Sequence, residues 1–360
     1  MKFELPEVEY YPPEPRKKRS IGLIGCGDVT SAHLTAYKQE GYNVVAFCDV
    51  DLERARTQRD AFYPDAAVFE DHTELLGCDD VAVVDIATPP GPRADLIEDA
   101  IRSGVHVLSQ KPFVLDVERG RELATLADEY GVRLAVNQNG RWAPHWSYLR
   151  GAVDAGLLGD MTGLHLSVHW NHDIPERDGH HLLFDFGIHW FDLVATLFDD
   201  DPRRVIATSA PTPSRTEGNK QSQVLIEFPD AQASIVFDAN THHGISSRTY
   251  AAGTKGSLEA RGPAAPWSDE TPGEKRWPWD DQQIELFTAG GSAMPDLRGS
   301  WNPQGWMGAM GELQSAVEDG RQPDNSGHDN LASLKLCFAA VESVDSGEPV
   351  TVGEVTELPE

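Results

Sequence analysis

Asp185, His189 and Asp192 stand four and three residues apart in FDFGIHWFD (184–192). At roughly 100° per residue on a helix they fall within about 60° of one another. Their neighbours Leu183, Phe184, Phe186, Ile188, Trp190, Phe191, Leu193 and Val194 are apolar. An imidazole there can take up or release a proton near neutral pH, and a carboxylate beside it can bind a hydroxyl. The alternative is a satisfied core network, since an unpaired buried polar group costs about 1–3 kcal/mol. For Asp192 that alternative is favoured, as a residue that orients His189 or caps a neighbouring loop. The embedded D-F-G also matches a kinase magnesium motif. A kinase needs a strand lysine after its glycine loop and an upstream H-R-D. VVAFCDV holds no lysine and H-R-D is absent, so the match is a coincidence.

GCGDVT (25–30) follows the apolar run IGLI and precedes TSAHLTAYKQE, which Gly41 closes. Gly25 and Gly27 let the chain turn tightly and let a diphosphate approach the backbone beside Asp28 and Val29, at a helix N-terminus. Asp49 lies at the end of the next strand, VVAFC (44–48), where an acid accepts hydrogen bonds from ribose hydroxyls and repels a 2′-phosphate. Val50, Asp51 and Leu52 follow without an arginine, which favours NAD over NADP. Thr30 stands at the third glycine position and is expected to loosen helix–strand packing slightly.

The elements that position these residues alternate. VVDIA (83–87) and VHVL (105–108) read as strands, ADLIEDAIRS as a helix, and VERGRELATLADEY as a helix capped by Asp116 and closed by Gly131 before VRLAVN. This rhythm implies right-handed βαβ units and a parallel sheet. From residue 141 the texture changes. GLHLSVHWN (163–171) alternates, RRVIATSA, SQVLIEF and QASIVFDA follow as strands, residues 261–305 read as loop, and a helix near 327–345 precedes PVTV. The expected class is α/β. A proline-rich arm (1–19) precedes a Rossmann NAD-binding domain (20–140) and an α+β domain with a large, mostly antiparallel open sheet (141–360).

The net charge of −28 excludes nucleic acid as a main partner, because phosphate must be met by Lys and Arg. No apolar run reaches the roughly 18 residues of a membrane span, and the N-terminus shows no apolar leader, so the cytoplasm is expected. Cys26, Cys48, Cys78 and Cys337 have neither metal-type nor disulfide-type spacing and are expected to be reduced. His165 and His169 would lie about 13 Å apart on one strand, too far to share an ion, and no metal is expected.

Residues 86–112, IATPPGPRADLIEDAIRSGVHVLSQKP, carry a Thr88-Pro89 turn and Lys111-Pro112. Together with VNQNGRW (136–142), DFGIHWFD, GTKGSL (253–258), GRQPDNSGHDNLASL and SGEPVTV, they resemble the glucose-fructose oxidoreductase / inositol dehydrogenase (Gfo/Idh/MocA) family from residue 20 onward. The resemblance implies hydride transfer between nicotinamide and a hydroxyl-bearing carbon of a sugar, polyol or sugar derivative. It implies Lys111, Asp185 and His189 as the catalytic set, with either Lys111 or His189 as base. Thr88, Pro89, Gln110, Lys111 and Asn139 would adjoin the cofactor. Arg141, Trp142, Trp170, His172, His180 and His181 would line the substrate, and a homo-oligomer, dimer or tetramer, is expected, its arm reaching a neighbour. Gln110 replaces the usual glutamate and Arg93 a common histidine. Two other readings are a redox-neutral enzyme that recycles bound NAD for elimination or glycoside cleavage, and a nicotinamide-binding protein without catalysis.

Overall fold

The computed structural model describes residues 7–170, 182–211, 219–241, 243, 245–262 and 282–358. The chain forms two compact units.

One unit combines Pro12–Trp142 with Asn302–Leu331 and the last described residues. Its strands are β1 (Ile21–Ile24), β2 (Val44–Cys48), β3 (Ala67–Phe69), β4 (Val83–Ile86), β5 (His106–Ser109) and β6 (Leu134–Val136). They form an all-parallel sheet in the order β3-β2-β1-β4-β5-β6. Five helices connect them: α1 (Thr30–Glu40), α2 (Leu52–Phe62), α3 (His72–Leu76), α4 (Pro90–Arg102) and α5 (Val117–Tyr130). β1 and β4 are wholly buried, which is why they read as unbroken apolar runs. The caps are those the sequence indicates: Asp116 accepts the Glu118 N–H at 2.8 Å, and Gly41 and Gly131 are left-handed at φ 70° and 69°.

Asp85 interrupts the apolar run of β4, yet it is fully buried. It is bound by His33 Nδ1 at 2.7 Å and accepts the Tyr37 hydroxyl at 2.6 Å, while Asn137 Nδ2 lies 3.3 Å from His33 Nε2. This network ties α1 to β4 and to the exit of β6.

The other unit combines Ala143–Trp301 and Ala332–Thr356 with the first described residues up to Tyr11. After α6 (Pro144–Asp154) come β7 (Met161–His169) and α7 (Ile188–Ala195). Seven strands follow: β8 (Arg204–Pro211), β9 (Asn219–Glu227), β10 (Gln232–Asp238), β11 (Ser246–Gly253), β12 (Gly256–Gly262), β13 (Gln283–Thr288) and β14 (Gly291–Ala293). α8 (Trp301–Asp319) belongs from Asn302 onward to the first unit, α9 (Gly327–Ser346) enters the second at Ala332, and β15 (Val350–Thr351) follows there. The nine-stranded sheet runs β14-β13-β12-β11-β7-β10-β9-β8-β15, antiparallel except for the β7–β10 pair. Leu164, Leu166 and Val168 are buried on one face of β7 while His165 is exposed on the other, as the alternation requires.

Two expectations are corrected. The first unit is not confined to 20–140, because Ala309, Met310 and Leu313 of α8 pack into one core cluster with Leu34, Tyr37, Phe47 and Trp142. The stretch 261–305 is not all loop, since β13, β14 and the start of α8 fall within it. The described part of the arm packs on its own chain. Tyr10 O accepts the Ser147 hydroxyl at 2.8 Å and its phenol accepts the Arg298 N–H at 3.1 Å, both within the second unit. The Arg16 and Arg19 N–H groups donate to Glu318 and Gln314 of α8, at 3.0 and 2.7 Å, within the first.

Candidate active site

In the parallel sheet the strand order reverses between β1 and β4, and ligands bind outside the carboxyl ends of strands at such a point. The glycine turn leaves β1 there. Gly25 has φ 92°, and a Cβ on it would lie 2.9 Å from the Ala87 carbonyl carbon and the Thr88 nitrogen. Gly27 has no atom within 4 Å of a Cβ position, so the face over the turn is open. Asp49 braces this turn. Its Oδ2 accepts the Cys26 N–H at 2.7 Å and its Oδ1 accepts the Asp51 N–H at 2.9 Å. A carboxylate offers about four lone-pair sites, so capacity remains for two ribose hydroxyls. Thr30, at the third glycine position, is fully buried and its hydroxyl donates to Gly25 O at 3.1 Å. Asp28 is exposed and Val29 half-buried at the start of α1.

Burial, with Asp49 and Cys48 adding to it, pushes the Cys26 thiol up to about 12. It is therefore a protonated wall of the turn and no nucleophile.

Thr88 follows β4, Lys111 follows β5 and Asn139 follows β6, so all three leave one edge of one sheet. Thr88 is half-buried, and its hydroxyl oxygen, itself buried, has no partner within the described protein; Pro89 beside it is exposed. The Gln110 N–H donates to Ile86 O at 2.9 Å and its Oε1 accepts the Lys111 N–H at 3.0 Å. Gln110 thus fixes the backbone of Lys111 rather than facing its ammonium as an anion. Lys111 and Asn139 are buried, 7% and 1% exposed. Arg93 on α4, noted in sequence only as a departure, is 1% exposed and donates to the Thr88 and Pro112 carbonyls. An open glycine turn, a braced acid and an orphan hydroxyl at one sheet edge fit a dinucleotide. Gly25 and Gly27 would hold its diphosphate, Asp49 its adenosine ribose, and Thr88 and Gln110 its nicotinamide half.

Arg141 and Trp142, expected to line the substrate, are buried within the first unit. Arg141 is 2% exposed, donates to Asp324 O at 2.6 Å and pairs with the Asp329 carboxylate. Trp142 is 5% exposed and its indole fills the space over Gly308 of α8. Both bind the returning segment to the first unit, a tertiary duty that no local pattern announces.

In the second unit the stretch 184–192 is not one regular helix. Leu182–Phe186 form a π turn, closed by the Gly187 N–H to Leu182 O at 2.7 Å, and α7 starts only at Ile188. The π turn changes the angular step between Asp185 and His189, so the even stripe projected from 100° per residue is corrected. A Cβ on Gly187 would lie 2.6 Å from Leu183 O, which is why glycine stands at the junction. Asp185 is half-buried and His189 is 3% exposed, set edge-on against Trp301 at 5.8 Å. Trp301 also packs on Trp146 at 4.9 Å and on Trp190 at 6.2 Å. Asp192 accepts the Ser333 hydroxyl of α9 at 2.8 Å. Trp170, expected to meet substrate, is 6% exposed and packs on Phe186 at 4.6 Å beneath the π turn, its backbone bonded to Asp238 and Thr241. His172, His180 and His181 lie outside the described residues.

His145 was not anticipated. It is buried beside Trp146 and Trp301, and burial lowers it to about 4, so it is neutral at neutral pH. Among the described residues no group of His, Cys, Asp and Glu is arranged to hold a metal, and no helix is long and apolar enough to cross a membrane.

Comparison with known proteins adds to this geometry. Residues 19–138 match the oxidoreductase family with an NAD-binding Rossmann fold, and residues 146–259 match the GFO/IDH/MocA C-terminal domain. The chain is 26% identical to D-apiose dehydrogenase of Paraburkholderia graminis, over 93% of this chain and 90% of that protein. It is 27% identical to inositol 2-dehydrogenase of Rhizobium meliloti, over 92% and 98%. Among solved structures it is similar to an oxidoreductase from Agrobacterium radiobacter in complex with NAD+, L-tartaric acid and magnesium. That match has TM-score 0.80 and 21% identity, covers 94% and 99% of the two chains, and bears on the fold alone.

Proposed function

The chain belongs to the Gfo/Idh/MocA family of oxidoreductases, and from that premise we propose that it is an NAD-dependent dehydrogenase acting on a hydroxyl-bearing carbon of a sugar, polyol or sugar derivative. The observation that carries this reading is the shared sheet edge, where the glycine turn, the Asp49 brace and Lys111 leave β1, β2 and β5 of one parallel sheet. The names of the apiose and inositol dehydrogenases support the substrate class.

Bound at that edge, nicotinamide supplies a hydride acceptor for the carbinol carbon. The chain must handle the hydroxyl proton and the charge that develops on oxygen. Lys111 is assigned the oxygen: its ammonium, carried by a backbone that Gln110 pins, donates a hydrogen bond that strengthens as alkoxide character grows. His189 is assigned the proton, which a neutral imidazole accepts near pH 7, and packing against Trp301 limits the orientations of its ring. Asp185 is assigned a neighbouring hydroxyl, whose binding would hold the substrate in register. Lys111 and His189 can exchange roles; the pH dependence of kcat in variants of each separates the two schemes. A homo-oligomer, dimer or tetramer, belongs to the same proposal, and sedimentation velocity tests it.

The test is absorbance of purified protein with excess NAD and a panel of polyols and aldoses. NADH accumulating well beyond the enzyme concentration is expected. Failure to bind NAD or NADP would remove the assignment of Gly25, Gly27 and Asp49, and a change confined to bound cofactor would replace the dehydrogenase by internal recycling.

A further inference from the structure

β4 and β5 are paired only as far as Ile86 and Ser109. Beyond that pair the two chains separate, one into Thr88 against the glycine turn, the other into Gln110, Lys111 and Pro112. The Gln110 N–H to Ile86 O bond spans the first step. Further out, Arg93 spans the gap: one guanidinium nitrogen donates to Pro112 O and the other to Thr88 O. Taking a guanidinium out of water is costly, so it is a poor way merely to fill space. What it supplies is a planar fork whose separate nitrogens hold two carbonyls at a set spacing, which neither lysine nor an apolar side chain can do. The two carbonyls belong to the strand exits assigned here to the nicotinamide half and to the reacting oxygen.

We propose that Arg93 is a positioning residue of the active site, fixing the spacing between the Thr88 turn and Lys111. The inference rests on the dehydrogenase reading and deepens it. It separates two halves of the cofactor site. Gly25 and Asp49 are held by hydrogen bonds that do not involve Arg93, and Gly25 meets the Thr88 turn only through packing, so the adenosine half should depend on Arg93 far less. The nicotinamide half and the chemistry should depend on it.

The experiment uses the full chain as R93A, R93K and R93Q, with ADP-ribose, NADH and a turned-over polyol. For R93A, kcat is expected to fall about 100-fold, as for a displacement of about 1 Å at a reacting centre. ADP-ribose affinity should stay within about threefold of wild type. Added guanidinium should restore part of the R93A rate, and R93K, with one charged nitrogen, should recover less than wild type. A parallel loss of ADP-ribose affinity and turnover, or R93Q turning over at the wild-type rate, would overturn the proposal. If R93A does not fold, R93K and R93Q carry the same comparison. If wild-type protein oxidises no polyol, the dehydrogenase reading fails, and emission of bound NADH still decides Arg93. Emission altered in R93A with ADP-ribose affinity kept supports the positioning role; unchanged emission overturns it.

Discussion

The parallel and nine-stranded sheets position their candidate site residues in different ways. In the first, polar groups leave successive strand ends, and the bonds that hold them come largely from nearby backbone: Asp49 by the Cys26 and Asp51 N–H groups, Gln110 by Ile86 O, Thr30 by Gly25 O. In the second, Asp185 and His189 ride on a π turn and a short helix fixed by packing, with Trp301 against the imidazole and Trp190 wedged among Phe186, Trp146 and Phe237. Hydrogen bonds at strand ends specify position at small cost to stability. Packing specifies position only by making the site part of the core. Substitutions at the sheet edge should therefore harm binding or rate and spare folding, whereas those around α7 should harm both.

The largest expected effect is at Lys111. K111M should lower kcat about 1000-fold, in the range for losing a group that stabilises charge at the reacting oxygen, while NAD affinity and thermal midpoint barely move; steady-state kinetics with calorimetry would show the split. D49A comes next. Losing hydrogen bonds from a charged acceptor should weaken NAD by about 10–100-fold and improve NADP relative to NAD, measured by titration with each cofactor. The two glycines sharpen the contrast further. G187A forces a Cβ against Leu183 O and should cost about 2 kcal/mol in denaturant unfolding. G27A, with nothing within 4 Å, should leave the unfolding midpoint unchanged and weaken only NAD. Equal destabilisation by the two would break the comparison.

A further effect is on pH. Burial lowers His145, in the second unit, from an ordinary value of 6.5 to about 4. Between those values the unfolded chain binds a proton that the folded chain refuses. Stability present above pH 6.5 should therefore be lost progressively as pH falls toward 4. H145Q should show a shallower decline in thermal midpoint over that window.

Legibility in the sequence follows the same division. The Gly25 turn, the Asp116 cap and the Gly131 terminus were readable because a turn or a cap demands a particular residue type at a particular offset. The buried face of β7 was readable from alternation alone. The π turn was not, because projection at a constant angle assumes the regular helix it sets out to find. Arg141 and Trp142 looked like ligand contacts because they leave a strand at the correct edge. Their actual partners, Asp329 and Gly308, are supplied by a segment that returns from far along the chain. α8 was hidden in a stretch rich in Pro, Gly and Trp. Asp85 was the one legible hint of the buried His33–Tyr37 network, as an acid inside an apolar strand.

The central claim is hydride transfer, and isotope transfer tests it most directly. A polyol shown to be turned over is deuterated at its carbinol carbon and incubated with NAD, and the released dinucleotide is analysed by mass spectrometry. Deuterium carried in released NADH, one per turnover, is the predicted result. Label returned to the product or lost to water, with no labelled NADH released, would contradict it.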